Sequence, residues 1–173
     1  MPVNLLLRMI TSMVRLYVLT EDLILSKKII YTAGTFDLFN VGHLEIFKKS
    51  KNLGDTLIVG VSTDELVKSY KLTAPVISYA DRAKIIKSCK YVDKVIKQTK
   101  LLDIKTLKKY KVDCITIGSD WKDKYLAGLE WMKKNGEVIY LPYTKRVSSS
   151  EIKKRIIENS YDIIKSSFER RIK

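Results

Sequence analysis

The chain has 173 residues, of which 46% are hydrophobic and 30% charged, which is typical of one soluble globular domain and argues against a disordered chain. Its two cysteines and single histidine are too few for a disulfide framework or a Cys/His zinc site, so we expect a cytoplasmic protein with reduced thiols. The net charge of +14 would suit nucleic acid, anionic membranes or anionic small substrates, and it does not choose among them.

Residues 1–27 form a segment that stands apart from the rest of the sequence. Apolar residues recur there at roughly helical spacing, and Arg8 and Arg15 interrupt them. The pattern predicts an amphipathic helix, and it is too broken by charge for a membrane span, which needs about 18–20 mostly apolar residues. Three of the four methionines also lie here, so an over-extended reading frame is the alternative. The role of this extension stays unassigned.

From Lys28 onward, short β-rich runs alternate with longer helical stretches, a pattern typical of an α/β domain with a parallel sheet. The predicted strands are Lys28–Thr32, Thr56–Ser62, Lys94–Ile96, Cys114–Gly118 and Glu137–Leu141. The predicted helices are His43–Leu53, Tyr79–Lys90, Asp103–Tyr110, Trp121–Asn135 and Ser148 to about Arg170. The sequence therefore predicts one domain over residues 28–173, with a C-terminal helix.

The strongest local signal lies where the first predicted strand gives way to the first predicted helix. It reads Gly34-Thr35-Phe36-Asp37-Leu38-Phe39-Asn40-Val41-Gly42-His43. Ligands of open α/β sheets bind at this edge, and a helix N-terminus offers unpaired N–H groups to an anion. Gly34 lets the backbone approach a phosphate closely, and His43 could donate to a phosphoryl oxygen. The sequence of this turn predicts a phosphate site. The alternative is that His43 is a half-buried structural residue.

These ten residues resemble the signature of the cytidylyltransferase family, and most closely that of the bacterial glycerol-3-phosphate cytidylyltransferases. Later blocks resemble the family in the same order, at Leu53-Gly54-Asp55, Val59–Glu65, Arg82, Tyr91–Ile96, Gly118–Trp121 and Ser148–Ser150. The likeness covers about residues 28–157. It implies a Rossmann-like fold with a five-stranded parallel sheet and helices on both faces, a homodimer, and a nucleotide bound with Mg²⁺. It also implies direct attack of a substrate phosphate on the α-phosphorus of CTP.

The resemblance implies roles for individual residues. The catalytic residues would be His43, Asn40 and Lys71. The nucleotide-binding residues would be Gly34, Thr35, Phe36, Asp37, Gly42, Asp120, Thr144 and Ser148, and the acceptor-binding residues would be Arg82 and Asp64. No metal ligand is assigned, because Asp37 could serve either the metal–nucleotide complex or the turn itself. The structural alternatives are a solvated loop lysine at position 71, an ion pair at Arg82 and a helix cap at Ser148, and Trp121 is expected to be structural.

Two departures from the family pattern concern the predicted site. Asn40 stands where the family's His-x-Gly-His tetrad has its first histidine, and an amide can donate a hydrogen bond but cannot carry positive charge. Tyr143 and Arg146 stand where the Arg-Thr-Glu-Gly-Ile-Ser-Thr signature has its arginine and its glycine. These departures leave open whether the site is fully active.

The function predicted from the sequence is transfer of CMP from CTP to a small phosphorylated alcohol such as glycerol 3-phosphate, with release of pyrophosphate. One alternative is an adenylyltransferase that uses ATP with a phosphosugar, FMN or another phosphate acceptor. A second is a nucleotide-binding homologue that has lost catalysis. Nucleic-acid binding is not expected, because only the charge suggests it and no interleaved aromatic and basic pattern forms a stacking platform.

Overall fold

Five parallel strands form the centre of the molecule in the computed structural model, which describes residues 8–15, 27–71, 73–142 and 147–172. The strands are β1 (Ile29–Gly34), β2 (Thr56–Ser62), β3 (Lys94–Gln98), β4 (Cys114–Gly118) and β5 (Glu137–Leu141), in the order β3-β2-β1-β4-β5. Every strand pair is parallel. The predicted α/β, Rossmann-like class is confirmed.

The helices connect the strands and flank the sheet. They are α1 (residues 8–15), α2 (Val41–Lys51), α3 (Asp64–Tyr70), α4 (Tyr79–Lys87), α5 (Ile104–Lys109), α6 (Ala127–Asn135) and α7 (Ser149–Ile172), with a 3₁₀ turn at Ser119–Trp121. No helix in the described part of the chain is long and apolar enough to cross a membrane.

The helix prediction differs most from the structure in two places. Helix α3 was not predicted, because its seven residues carry too few apolar positions for a helical repeat. It begins after Thr63, whose hydroxyl caps the helix by accepting the N–H of Leu66 at 3.1 Å. The predicted helix Trp121–Asn135 is a 3₁₀ turn followed by the shorter α6. This helix starts late because Leu126 has extended backbone geometry.

Alternating strand residues build one apolar cluster on each face of the sheet. Tyr31 and Ile58 face the cluster that includes Leu107 of α5 and Met132 of α6. Ile30, Leu57, Val59 and Val61 face the opposite cluster, which includes Phe47 of α2 and Ile86 of α4. Each fully buried aliphatic or aromatic side chain stabilises the fold by about 1.5–3 kcal/mol. The two clusters fix both helix layers on the sheet.

The strand order reverses beside β1, and this reversal determines where a ligand can bind. The chain runs from β1 outward to β2 and β3, then returns to the other side of β1 to form β4 and β5. The connections that leave the carboxyl ends of β1 and β4 therefore diverge and open a crevice, as in other open parallel sheets. The predicted phosphate-binding turn follows β1 at this crevice.

Candidate active site

Two helix N-termini meet beside the carboxyl ends of β1 and β4. The loop of residues 35–40 (the β1–α2 loop) leads into α2, and the hydroxyl of Ser149, at the start of α7, donates to the carbonyl of Asp37 in that loop at 2.5 Å. A cavity of about 440 Å³ lies here, within the range of about 300–1,000 Å³ usual for small-molecule sites. Its lining includes the predicted residues Gly34, Thr35, Phe36, Asp37, Asn40, Gly42, His43, Lys71, Asp120 and Ser148.

The β1–α2 loop has an uncommon backbone. Phe36 and Leu38 have φ of 53° and 47°, in the left-handed region that side chains other than glycine, asparagine and aspartate seldom occupy. The Phe36 ring packs beneath Gly34, where a Cβ would come within 3.1 Å of it, and lies edge-on to Phe47 at 5.0 Å. Such geometry costs free energy and persists only where surrounding contacts enforce it.

Asn40 caps the start of α2. The side-chain oxygen Oδ1 of Asn40 accepts the backbone N–H of Gly42 at 2.9 Å, and the side-chain nitrogen Nδ2 donates to the backbone carbonyl of Leu38 at 3.1 Å. The backbone N–H of Asn40 donates to His43 Nδ1 at 3.3 Å, which completes a capping box. The side chain that was expected to donate to a phosphate therefore also shapes the loop, a role that the sequence analysis did not include.

His43 is a neutral hydrogen-bond donor in this structure. Because Nδ1 accepts the Asn40 N–H, the hydrogen of the neutral ring is assigned to Nε2. The ring lies edge-on to Phe36 at 5.5 Å and stacks on Phe39 at 5.7 Å. Burial lowers its pKa to about 4, while the smaller effects of Asp37 and Lys71 act in opposite directions. Near pH 7, His43 can donate to a phosphoryl oxygen without carrying charge itself.

Asp37 is a buried carboxylate whose oxygens are already engaged. They accept the N–H groups of Val76 and Ile77 at 3.0–3.1 Å, and Lys153 lies 2.8 Å away. Burial raises the pKa of Asp37, but the hydrogen bonds from Lys153, Ile77 and Val76 outweigh it and keep the pKa below its ordinary value. Of the two roles considered for Asp37, the geometry favours positioning of the loop.

Helix α3 brings Tyr70 and Lys71 to the cavity. The hydroxyls of Tyr70 and Thr35 lie 3.1 Å apart, and the Lys71 ammonium donates to the same Thr35 hydroxyl at 3.4 Å. Lys71 is exposed and follows the last residue of α3. It is therefore a cation that can turn towards an anionic ligand. Tyr70 also lines the cavity, and sequence reasoning missed it because α3 was not predicted.

The opposite side of the cavity is formed after β4 and at the start of α7. Asp120 and Trp121 line it from the 3₁₀ turn. Trp121, which was expected to be structural, also packs against the core cluster of α5 and α6. It therefore contacts both the core and the cavity. Ser148 accepts the N–H of Glu151 at 3.0 Å and caps α7. The N–H groups of Ser149 and Ser150 belong to the first turn, where helices leave such groups without an intrahelical acceptor.

Arg82 and Asp64, for which the resemblance implies acceptor binding, are not among the residues that line the cavity. Arg82 is 1% exposed, and its guanidinium donates to the backbone carbonyls of Thr35, Ser62 and Ile77. It also pairs with the Asp64 carboxylate at 2.6 Å. These acceptors engage the guanidinium within the fold, so Arg82 holds the β1–α2 loop against the end of β2 instead of facing a ligand.

The carboxylates of the cavity do not form a metal cage. No group of three or more His, Cys, Asp or Glu side chains within the described ranges is placed to hold a metal ion. Asp37 and Asp120 both line the cavity, but Asp37 is engaged by Lys153 and backbone N–H groups. Mg²⁺ commonly binds one or two carboxylates together with substrate phosphates, so this donor set suits a metal that arrives with a nucleotide. The predicted nucleotide-binding residue Thr144 lies outside the described residues, as do Tyr143 and Arg146.

Comparison with known proteins identifies the family of this chain. Residues 31–155, which include every residue that lines the cavity, match the family model described as cytidylyltransferase-like. The chain belongs to the cytidylyltransferase-like family. It is 43% identical over 131 residues to the glycerol-3-phosphate cytidylyltransferase of Bacillus spizizenii, across 74% of this chain and 95% of the relative.

Other relatives show how far the family extends. The chain is 36% identical over 140 residues to the FAD synthase of Thermococcus kodakarensis, across 76% of this chain and 94% of the relative. Among solved structures, the lipopolysaccharide core biosynthesis protein from Thermoplasma volcanium aligns with a TM-score of 0.57 at 27% identity, across 70% of this chain and all of that one. The predicted enzyme class, a nucleotidyltransferase of the cytidylyltransferase type, is confirmed.

Proposed function

We propose that the enzyme transfers CMP from CTP to a small phosphorylated alcohol such as glycerol 3-phosphate and releases pyrophosphate. The observation that carries this proposal is the convergence of the N-termini of α2 and α7 on one cavity, with His43 and Lys71 in its wall. Helix N-termini bind phosphate through free N–H groups and the helix dipole. Two of them beside a cationic side chain suit a triphosphate.

The proposed reaction needs no general base. The phosphate of the acceptor is ionised at neutral pH, and one of its oxygens attacks the α-phosphorus of CTP. The bond from the α-phosphorus to the bridging oxygen breaks, and pyrophosphate leaves with that electron pair. Catalysis then rests on positioning and on neutralising charge. His43 would donate from Nε2 to a phosphoryl oxygen, and Lys71 would bring positive charge to the leaving group.

Mg²⁺ is part of the proposal as a companion of the nucleotide. When bound, it would neutralise phosphate charge and polarise phosphoryl oxygens. Asp120 is the cavity residue we assign to this metal or to its water, because the oxygens of Asp37 are engaged within the protein. The protein's own residues would then position the α-phosphorus between the acceptor and the helix N-termini.

The choice of CTP and a small acceptor is supported by sequence similarity. The identities to glycerol-3-phosphate cytidylyltransferases span 34–43% and those to FAD synthases span 36–38%, so the value of 43% is the one that favours CTP and glycerol 3-phosphate. The FAD synthase relatives favour the second candidate, transfer of AMP from ATP to FMN.

Two further proposals concern the state of the protein. The resemblance supports a homodimer. Both cysteines, Cys89 and Cys114, are unpaired, which is consistent with our proposal that the enzyme acts in the reducing cytoplasm.

A pyrophosphate-release assay tests the proposed function. The four common nucleoside triphosphates are each combined with glycerol 3-phosphate, other phosphorylated alcohols and FMN, and reactions without acceptor serve as controls. We expect the highest kcat/KM with CTP and a small phosphorylated alcohol. Faster turnover with ATP would contradict the cytidylyl assignment. Triphosphate binding without turnover in any combination would instead support the catalytically impaired homologue.

A further inference from the structure

Two residues near the start of α7 both contact Asp37 of the β1–α2 loop. The Ser149 hydroxyl donates to the Asp37 backbone carbonyl, and the Lys153 ammonium lies 2.8 Å from the Asp37 carboxylate. Ser149 and Lys153 are four residues apart, so both contacts come from the same side of the helix. Together they restrain both the position of α7 and its rotation about its axis.

The ion pair between Lys153 and Asp37 is better protected from water than a surface pair. The Asp37 side chain is 7% exposed and that of Lys153 is 36% exposed. The neighbouring pair in α7, Lys154 with Glu158, has a separation of 3.8 Å and side chains that are 68% and 57% exposed. Exposed ion pairs of that kind contribute little to stability. Loss of one partner of a buried pair, in contrast, leaves the charge of the other partner uncompensated.

We propose that Lys153 is a positioning residue for the phosphate site. Through Asp37 it would hold the first turn of α7 so that the N–H groups of Ser149 and Ser150 face the phosphates of the nucleotide. The inference deepens the proposed function, because it requires a polyphosphate ligand in this cavity. It does not depend on which base or which acceptor the enzyme uses.

Inorganic tripolyphosphate is the probe that tests this role, with binding measured by titration calorimetry in a buffer containing Mg²⁺. Lys153→Met should weaken binding by about ten- to a hundredfold, the cost of losing a charge-assisted hydrogen bond. Lys153→Arg should bind within about threefold of the wild type, because a guanidinium can reach the same carboxylate. The matched control Lys154→Met should change binding by less than about twofold.

A double-mutant cycle separates positioning from direct phosphate binding by Lys153. If Lys153 acts through Asp37, then Asp37→Asn weakens tripolyphosphate binding and Lys153→Met adds little in that background. If Lys153 binds phosphate itself, Asp37→Asn should free its ammonium and tighten binding. Tighter binding in Asp37→Asn, additive effects of the two changes, or equal effects of Lys153→Met and Lys154→Met would each overturn the proposal. So would a wild-type protein that does not bind tripolyphosphate at millimolar concentration.

Kinetic measurements keep this proposal distinct from the proposed function. In whichever nucleotide–acceptor pair the enzyme turns over, Lys153→Met should raise the KM of the triphosphate by a similar factor and leave the KM of the acceptor unchanged. Circular dichroism checks that the variant is folded. Failure with CTP and glycerol 3-phosphate in particular would contradict the proposed substrate while the tripolyphosphate result stood. An acceptor KM that rises as much as the triphosphate KM would contradict the positioning role.

Discussion

The surroundings of His43 determine its charge and which of its ring nitrogens can donate a hydrogen bond. The two rings remove water from the imidazole, and the Asn40 backbone N–H occupies Nδ1. The burial favours the neutral ring, and the hydrogen bond at Nδ1 assigns its remaining hydrogen to Nε2. A polyphosphate bound in the cavity would add negative charge close to the ring, and this charge would favour the protonated form.

This electrostatic environment can be measured by proton NMR. The chain has one histidine, so its imidazole signals need no assignment by mutation. We expect a pKa of about 4 in the free protein and a higher pKa with tripolyphosphate bound. Because the folded pKa lies below the ordinary value of 6.5, the unfolded chain binds the proton more tightly. His43 therefore reduces stability as the pH falls from about 6.5 to about 4. A free-protein pKa near 6.5 would contradict the burial argument.

Residue types and order were enough to locate the cavity residues of the β1–α2 loop, but they could not assign all their contacts. Arg82 engages the Thr35 carbonyl, 47 residues away in the sequence, and no local pattern encodes which of many acceptors a guanidinium will reach. For Asn40, the sequence predicted a phosphate donor, and the structure adds a helix cap. The cap depends on the backbone geometry of residues 38–42, which residue types alone do not encode, and the phosphate-donor role stays a prediction.

The elements of the fold were predictable where their apolar patterns were long. All five strands were found, and the exact bounds of β2, β4 and β5 were predicted, because short runs of mainly apolar residues mark strands in a parallel sheet. Helix α3 was missed because one buried residue, Val67, is too little for a periodic signal. Its absence from the prediction is the reason that Tyr70 was overlooked.

The connection between elements that Arg82 makes can be tested through stability. Arg82→Met should lower the free energy of unfolding by about 3–5 kcal/mol, because it leaves Asp64 and three backbone carbonyls without their shared donor. Urea denaturation measures the loss, and Lys84→Met, an exposed change on the same helix, should alter stability by less than about 0.5 kcal/mol. A loss for Arg82→Met below about 1 kcal/mol would show that the guanidinium does not hold the loop.

At the scale of the whole molecule, the strand order explains why one cavity collects residues from distant parts of the sequence. The reversal beside β1 brings the ends of β1 and β4 together, and α7 returns from the last strand to the β1–α2 loop. The predicted division into an extension of residues 1–27 and a domain of residues 28–173 stays a prediction. The family match covers residues 31–155, and Met9, Met13 and Val14 of α1 are exposed.

The proposed homodimer can be tested by light scattering. At micromolar protein we expect a mass about twice that of the 20.0 kDa chain. A series of dilutions would show whether the association is reversible, since a weak dimer loses mass at low concentration. A mass of 20.0 kDa at every concentration would contradict the dimer.

The central claim is that nucleotidyl transfer takes place at the turn between β1 and α2, and the turnover of His43→Ala tests it most directly. The measurement is pyrophosphate release with CTP and glycerol 3-phosphate, beside Lys48→Ala as an exposed control on the same helix. Loss of the Nε2–H donor should lower kcat by ~10²–10³-fold, the scale for one donor to developing charge, while triphosphate affinity changes far less and Lys48→Ala matches the wild type. A folded His43→Ala protein with wild-type kcat would contradict this account, because the histidine would then be structural and the catalytic centre would lie elsewhere.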